Sequence, residues 1–297
     1  MVRVAVLGSS GMLGSTLTRE FQREFDSVIE INRTGISVTG NNQVLTLDVL
    51  KNFDLHKTFA DLQIDYIVNA IGMIKQVIDE KNQNDVTSAH LINYEFAKIL
   101  NQFSIDTGTR VIQIGTDCVF SGAEGNYAED STFNPTDIYS KTKSSGELAS
   151  SESMIIRCSI IGKELTSSLS LLGWVLSQPK SGIINGFTNH VWNGLTTLHF
   201  SEVVSGIIKT DNFSKGVVHL VPKDKVSKYE LIKIIANEFG RSDLEIREFS
   251  AQNAIDRSLV TLNSVRNLQM WQAGGYNKLP TIREMVSQYA HWTQGKF

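Results

Sequence analysis

At the start of this chain the short apolar run Val2 to Leu7 gives way to Gly8-Ser9-Ser10-Gly11-Met12-Leu13-Gly14, a G-x-x-G-x-x-G that opens a helical stretch. Glycines allow a tight turn and a close backbone approach, and the free amides and positive end of the following helix then favour a pyrophosphate. By itself such a turn is a common connection. Placed after the first strand of an alternating chain, it argues for an α/β fold that holds a dinucleotide.

The rest of the first half keeps that alternation. Strand candidates are Val2 to Leu7, Val28 to Ile31, Val44 to Leu47, Tyr66 to Ala70, Val111 to Ile114 and Met154 to Cys158, each short and apolar as buried parallel strands are. Helices are predicted at Leu13 to Phe25, at His90 to Phe103 with apolar residues at helical spacing, and at Tyr139 to Ser150. The pattern is that of a doubly wound parallel sheet, expected to occupy residues 1–160.

From Gly162 to Gly194 the rhythm breaks into Gly, Ser, Asn and Trp. A smaller lobe is expected over residues 161–297, with some segments returning to the main sheet. Within it Gly216 to Val221 reads as a strand, and Tyr229 to Phe239 and Thr281 to Trp292 as helices. Ser227 and Glu230 form an S-x-x-E capping box before the first of those helices.

Composition narrows the partners. Hydrophobic residues are 41% and charged residues 20% of the 297, which suits a folded chain. The formal net charge of −3 leaves no basic excess for nucleic acid or an anionic membrane. No stretch approaches the about 18 apolar residues of a spanning helix, and the first apolar run is too short for a signal-peptide core. The two cysteines, Cys118 and Cys158, match no metal-ligand or disulfide framework, so no metal and a reduced, cytoplasmic setting are expected.

The end of the second strand commonly separates the two nicotinamide cofactors, an acid holding a ribose 2′-hydroxyl and an arginine a 2′-phosphate. Here the residues are Asn32-Arg33-Thr34, which favours NADP(H) over NAD(H), although Glu30 lies nearby. Asp48 is a candidate for the adenine amino group. Tyr139 and Lys143 stand four apart on one predicted helix face, where an ammonium can assist a phenol in proton transfer. Thr116, at the end of a strand, can bring a hydroxyl to the same reacting oxygen.

Gly8-x-x-Gly11-x-x-Gly14, Asn69-Ala70-x-Gly72, Thr116 and Tyr139-x-x-x-Lys143 together resemble the extended short-chain dehydrogenase/reductases. Within them, Thr116-Asp117-Cys118-Val119-Phe120-Ser121-Gly122 is similar to the T-D-x-V-F-x-G segment of the dTDP-4-dehydrorhamnose reductase group. The resemblance implies a Rossmann-type domain with a smaller C-terminal α/β substrate lobe. It implies reduction by NADPH of a 4-keto group on a nucleotide-linked deoxysugar for polysaccharide precursors, in a monomer or homodimer. Gly8, Ser10, Gly11, Met12, Leu13 and Gly14 would bracket the pyrophosphate, Asn32 and Arg33 the 2′-position, Asp48 and Val49 the adenine, and Ala70, Ile71 and Gly72 the adenosine-side ribose. Tyr139 would protonate the substrate oxygen, Thr116 would hydrogen-bond it, and Lys143 would hold the nicotinamide ribose and tune Tyr139. Thr116, Asp117 and Val119 would contact substrate. By residue type, Lys75, and Trp192 and Asn193 as an aromatic stacking face and an amide suited to a base or sugar ring, are further substrate candidates.

The chain departs from that group at Ile71-Gly72-Met73-Ile74-Lys75-Gln76, where a small-residue and tyrosine stretch is usual, and at Cys118, which stands where related dehydratases carry a glutamate. Dehydration is therefore disfavoured, and Cys118 reads as packing. Cations for a substrate diphosphate are open among Lys163, Lys180, Arg257 and Arg266. Two other functions fit the same residues: a nucleotide-sugar 4-epimerase that keeps its NAD, and a non-catalytic NADP-binding subunit resembling the regulatory beta subunit of methionine adenosyltransferase.

Overall fold

The computed structural model describes residues 2–40 and 43–294. The first half runs β1 (Arg3–Leu7), α1 (Met12–Glu24), β2 (Ser27–Asn32), β3 (Gln43–Thr46), α2 (Leu55–Thr58), β4 (Tyr66–Asn69), α3 (Gln83–His90), α4 (Phe96–Thr107), β5 (Arg110–Gly115), α5 (Ile138–Leu148) and β6 (Met154–Arg157). The second runs β7 (Ile160–Ile161), α6 (Leu171–Leu176), β8 (Ile183–Phe187), β9 (His190–Trp192), β10 (Leu195–Thr196), α7 (Thr197–Lys209), β11 (Gly216–His219), β12 (Val226–Ser227), α8 (Lys228–Glu238), β13 (Glu245–Phe249), β14 (Ile255–Asp256), α9 (Ser264–Ala273) and α10 (Ile282–Thr293). Among these, no helix is long and apolar enough to cross a membrane.

Seven parallel strands form one sheet in the order β11-β6-β5-β4-β1-β2-β3, the Rossmann-type doubly wound arrangement. Alternate residues of β1 serve two cores. Val4 and Val6 pack with Leu13, Leu17 and Phe21 of α1, while Ala5 and Leu7 pack with Ile31 and with Phe96 and Leu100 of α4. Both faces of the sheet are thus covered by helices, which is why its strands read as unbroken apolar runs rather than alternating ones. The chain goes outward from β1 to β3 and then crosses back to β4, so the crevice beyond the carboxyl ends of β1 and β4 is the topological switch point.

Two second-half elements belong to this body. β11 pairs with β6 at the sheet edge, and α7 lies against α1, where the Thr16 hydroxyl donates to Thr197 Oγ1 at 3.0 Å. The remaining strands make small sheets of their own: β7 with β10, β8 with β13, and β9 between β12 and β14. Ser227 and Glu230 form the expected capping box on α8, and Thr281 and Glu284 form a second one on α10.

The helix expected from His90 to Phe103 differs. α3 and α4 are joined by a π-helical turn, Leu91–Glu95. A Cβ at Gly146 of α5 would fall 2.1 Å from the Asn93 carbonyl oxygen, so the widened turn sits where α5 approaches most closely. The Asn93 side chain also accepts from the Met73 amide at 2.9 Å and donates to the Met73 carbonyl and to Thr142 Oγ1. This residue, which the sequence reading missed, ties the loop after β4 to α5.

Candidate functional site

The glycine turn occupies the switch point, and its glycines have distinct duties. Gly8 has φ +77°, and its amide donates to the Ile31 carbonyl at 2.8 Å. A Cβ at Gly14 would lie 2.0 Å from the Gly8 carbonyl oxygen, so α1 can begin this close to β1 only with glycine there. Gly11 is the N-cap of α1, with no side-chain cap and no acid in the first turn. The first-turn amides of Met12, Leu13 and Gly14 have no intrahelical acceptor and are left for an anion. Ser10 and Gly11 are exposed at the mouth, whereas the Leu13 side chain is buried in the core, so Leu13 can offer only its backbone.

Beyond β2, Asn32 does not offer its side chain to a ligand, contrary to expectation. It is 2% exposed and donates to Ser9 Oγ and the Ile36 carbonyl, while its Oδ1 accepts from Thr34 and Gly35. It shapes the loop that carries Arg33. Glu30 is fully buried and accepts from Ser37, Val38 and Thr39, so no acid reaches the 2′-position from β2. Arg33 is exposed and has no hydrogen-bond or ionic partner among the described residues. Asp48 accepts from the Leu50 amide and stands 3.8 Å from Lys51 Nζ, and Val49 packs on the second core. Ala70 and Ile71 line the turn from β4, each within 3.1 Å of where a Gly8 Cβ would be, and Gly72 faces Asn93.

The end of β5 and the start of α5 bring three expected residues together. Thr116 caps the short turn Asp117–Val119, its Oγ1 accepting from the Cys118 amide at 3.2 Å. Asp137 caps α5 through the Ser140 amide at 2.8 Å, which puts Tyr139 in the first turn. Lys143, one turn on, donates from Nζ to the Ile114 carbonyl at 3.1 Å. Burial pushes the Tyr139 phenol above its ordinary value and neighbouring Cys118 adds to this, while the Thr116 hydrogen bond acts the other way. The ammonium of Lys143, expected to tune this phenol, is held by the Ile114 carbonyl, and the net effect on Tyr139 is upward. The phenol is therefore a proton donor at neutral pH. Burial lowers Lys143, with Glu147 opposing. Burial and Asp117 push the Cys118 thiol up to about 12, so it is no nucleophile at neutral pH.

Four residues expected at substrate have side chains that are buried or engaged by other residues. Lys75 pairs with Asp137 at 2.8 Å and so holds the loop after β4 to the start of α5. Val119 is fully buried against Phe120, Tyr127 and Leu259. Trp192 is 3% exposed, its indole N–H donating to Ser159 Oγ at 2.8 Å. Asn193 uses both ends of its amide on the Leu259 backbone. Lys75, Trp192 and Asn193 carry polar groups that partners distant in sequence satisfy, which the spacing of residues in sequence does not reveal.

The cations that do reach the site are Arg257 and Lys228. Arg257 follows β14 and donates from Nε to the Phe120 carbonyl at 2.8 Å. Lys228 opens α8, with its ammonium 5.6 Å from the Trp192 ring centre. Burial pulls Lys228 down, while Asp117 and Cys118 hold it up and Arg257 adds to the lowering, so these four groups share one small region. Lys228 escaped the sequence reading, yet a signal was present: a lysine at the first position of a helix opposes the helix dipole and calls for an anion nearby. Of the other candidates, Arg266 is tied to Asn212 and Ser214, and Lys180 is exposed.

A family model described as the RmlD substrate binding domain matches residues 2–181, more than half of the chain. The spore coat polysaccharide biosynthesis protein SpsK of Bacillus subtilis (strain 168) is 25% identical over 81% of this chain and 80% of its own length. Methionine adenosyltransferase 2 subunit beta of Bos taurus is 23% identical over 90% of this chain and 80% of its own. Among solved structures, dTDP-4-dehydrorhamnose reductase of Bacillus anthracis str. Ames, in complex with NADP, superposes with a TM-score of 0.77 at 18% identity, covering 99% of this chain and 100% of that one.

Proposed function

This chain belongs to the family of the RmlD substrate binding domain, and on that footing we propose that it is an NADPH-dependent reductase of a 4-keto group on a nucleotide-linked deoxysugar, serving polysaccharide precursor synthesis. The observation that carries this is that Thr116 meets Tyr139 at the carboxyl end of β5, on the same edge of the parallel sheet as the uncapped amino end of α1. That end, with its first-turn amides open and Gly14 admitting no side chain, suits the pyrophosphate of a nicotinamide dinucleotide. Exposed Arg33 suits a 2′-phosphate, since both Asn32 and Glu30 are engaged in their own loop. The NADP bound by the Bacillus anthracis protein agrees with this choice.

NADPH, when bound, supplies a hydride for the carbonyl carbon. The Tyr139 hydroxyl then gives its proton to the oxygen as that becomes an alkoxide, a task for which its raised pKa keeps it protonated. Thr116 Oγ1 donates a hydrogen bond to the same oxygen and spreads the developing charge. Lys143, one helical turn beyond Tyr139, would hold ribose hydroxyls of the dinucleotide. Lys228 and Arg257 bring positive charge from the second half of the chain toward the substrate's diphosphate.

Oxidation of NADPH, with NADH as control, tests the reading on a panel of dTDP-, UDP- and GDP-linked 4-keto-6-deoxysugars. One member is expected to turn over, and Tyr139→Phe to lower kcat by about 100-fold to 10,000-fold with NADPH affinity kept. A second reading, a non-catalytic NADP-binding subunit, is favoured by the match to methionine adenosyltransferase 2 subunit beta over 90% of the chain. Tight NADPH binding, no oxidation across the panel and a stable complex with a catalytic partner would establish it instead.

A further inference from the structure

We propose that Glu147, gripped by the buried Arg157, is a positioning residue of this site: it fixes the Thr116 turn against α5 and presents a carboxylate to Lys143 from the following helical turn. The inference deepens the reductase reading and rests on it. Tyr139, Lys143 and Glu147 recur at i, i+4 and i+8 and so form one stripe on α5. Glu147 is 8% exposed. Its Oε1 accepts from the Thr116 amide at 3.3 Å, and its Oε2 accepts from Arg157 Nη2 at 2.7 Å and Nε at 3.2 Å. A Cβ at Gly115 would stand 2.9 Å from Glu147 Oε1, so a glycine at the end of β5 is what admits the carboxylate.

Arg157 is itself fixed from every side. It is fully buried, its guanidinium lying 5.2 Å from the Phe120 ring centre and 5.1 Å from that of Phe133. Nη1 lies 2.7 Å from His219 Nε2, while His219 Nδ1 lies 2.6 Å from the Val260 carbonyl. Because a carbonyl only accepts, Nδ1 carries the proton and neutral Nε2 accepts from Arg157. Glu129 completes the chain, accepting from the His219 and Leu262 amides and the Thr261 hydroxyl. A buried ion pair is often no more stabilising than apolar residues of its shape, so stability alone does not account for this one. Its outer end is the Thr116 amide. The charged and titratable groups against Glu147 are Arg157 on β6, itself backed by His219 on β11, and Lys143 and Tyr139 on α5; Glu147 raises Lys143 against the lowering by burial.

The test is the double variant Glu147→Leu/Arg157→Met, which removes both charges at similar volume and is expected to fold. With the substrate that the panel identifies, kcat is expected to fall by about 100-fold, and the alkaline limb of its pH profile to move about one pH unit lower. NADPH affinity, read by fluorescence titration across the same pH range, is expected to show the same displacement. Should the double variant not fold, Arg157→Lys keeps the charge while loosening the two-point grip, and a smaller displacement in the same direction is expected. A folded variant with unchanged kcat and unchanged pH profiles overturns the proposal. If the wild type binds NADPH but reduces nothing, the reductase reading fails, and the cofactor titration still decides whether Glu147 holds the Lys143 charge.

Discussion

Replacing Gly14 by alanine puts a methyl carbon 2.0 Å from the Gly8 carbonyl oxygen, 2.6 Å from the Gly8 carbonyl carbon and 2.9 Å from the Ser9 Cα. All three are backbone atoms, so no side chain can swing aside; the turn or the first turn of α1 must move by about 1 Å. Overpacking of that kind costs about 3 kcal/mol at the upper end of its range. Alanine's better helix propensity returns up to about 1 kcal/mol, leaving about 2 kcal/mol, or a melting point lower by roughly 4 °C for a chain of this size. The same shift misaligns the amides that face the pyrophosphate. Losing one charge-assisted hydrogen bond, about 1.5–3 kcal/mol, raises the Kd for NADPH by about 10-fold to 100-fold. Gly11→Ala is the control, since its Cβ would meet the Gly8 oxygen at 3.3 Å and needs a few tenths of an ångström of give. Thermal melts and NADPH titrations of the wild type and both variants settle the matter. If Gly14→Ala melts and binds as the wild type does, or if Gly11→Ala is the less stable of the two, close backbone approach is not the reason for glycine at 14.

Arg33→Ala is expected to raise the Kd for NADPH by about 10-fold to 100-fold and leave that for NADH unchanged; equal losses for both cofactors would remove Arg33 from the 2′-phosphate. Asp137→Ala deletes the α5 cap at a cost of about 1 kcal/mol, with less from the largely exposed Lys75 pair. Asp137→Asn should recover most of that in urea denaturation, and an asparagine no better than alanine would refute the capping role. Burial holds His199 down at about 4, with the Gln288 hydrogen bond opposing. The unfolded imidazole takes its proton near pH 6.5, so the folded state loses stability as pH falls from there to about 4, by at most about 1.4 kcal/mol per pH unit. The stability advantage of wild type over His199→Gln should therefore shrink between pH 7 and pH 4. Parallel curves would show that His199 does not titrate differently on folding.

How much of this was legible beforehand follows from the range of each interaction. The glycine turn, the strand-helix order to β6, the S-x-x-E box on α8 and the four-residue step from Tyr139 to Lys143 are local, set within a turn or two of backbone, and they stand in the structure at nearly the predicted residues. The π-helical turn at Leu91–Glu95 was not legible, because it answers to the approach of Gly146 from another helix. Asn32, Trp192, Asn193 and Lys75 were read as ligand groups from residue type, and each instead meets a partner that position in the chain does not announce: Ser9, Ser159, Leu259 and Asp137. Conversely, Lys228 reaches Asp117 and Arg257 reaches Cys118 from more than a hundred residues away, and Arg157 on β6 reaches Glu147 on α5. The α/β order and the chemistry available at the ends of β1 and β5 can be read from the residues alone, since hydrophobic period and turn geometry are encoded locally. Which polar groups are already satisfied and which stay open to a ligand emerges with the assembled fold, because burial and hydrogen-bond pairing depend on what folding brings alongside.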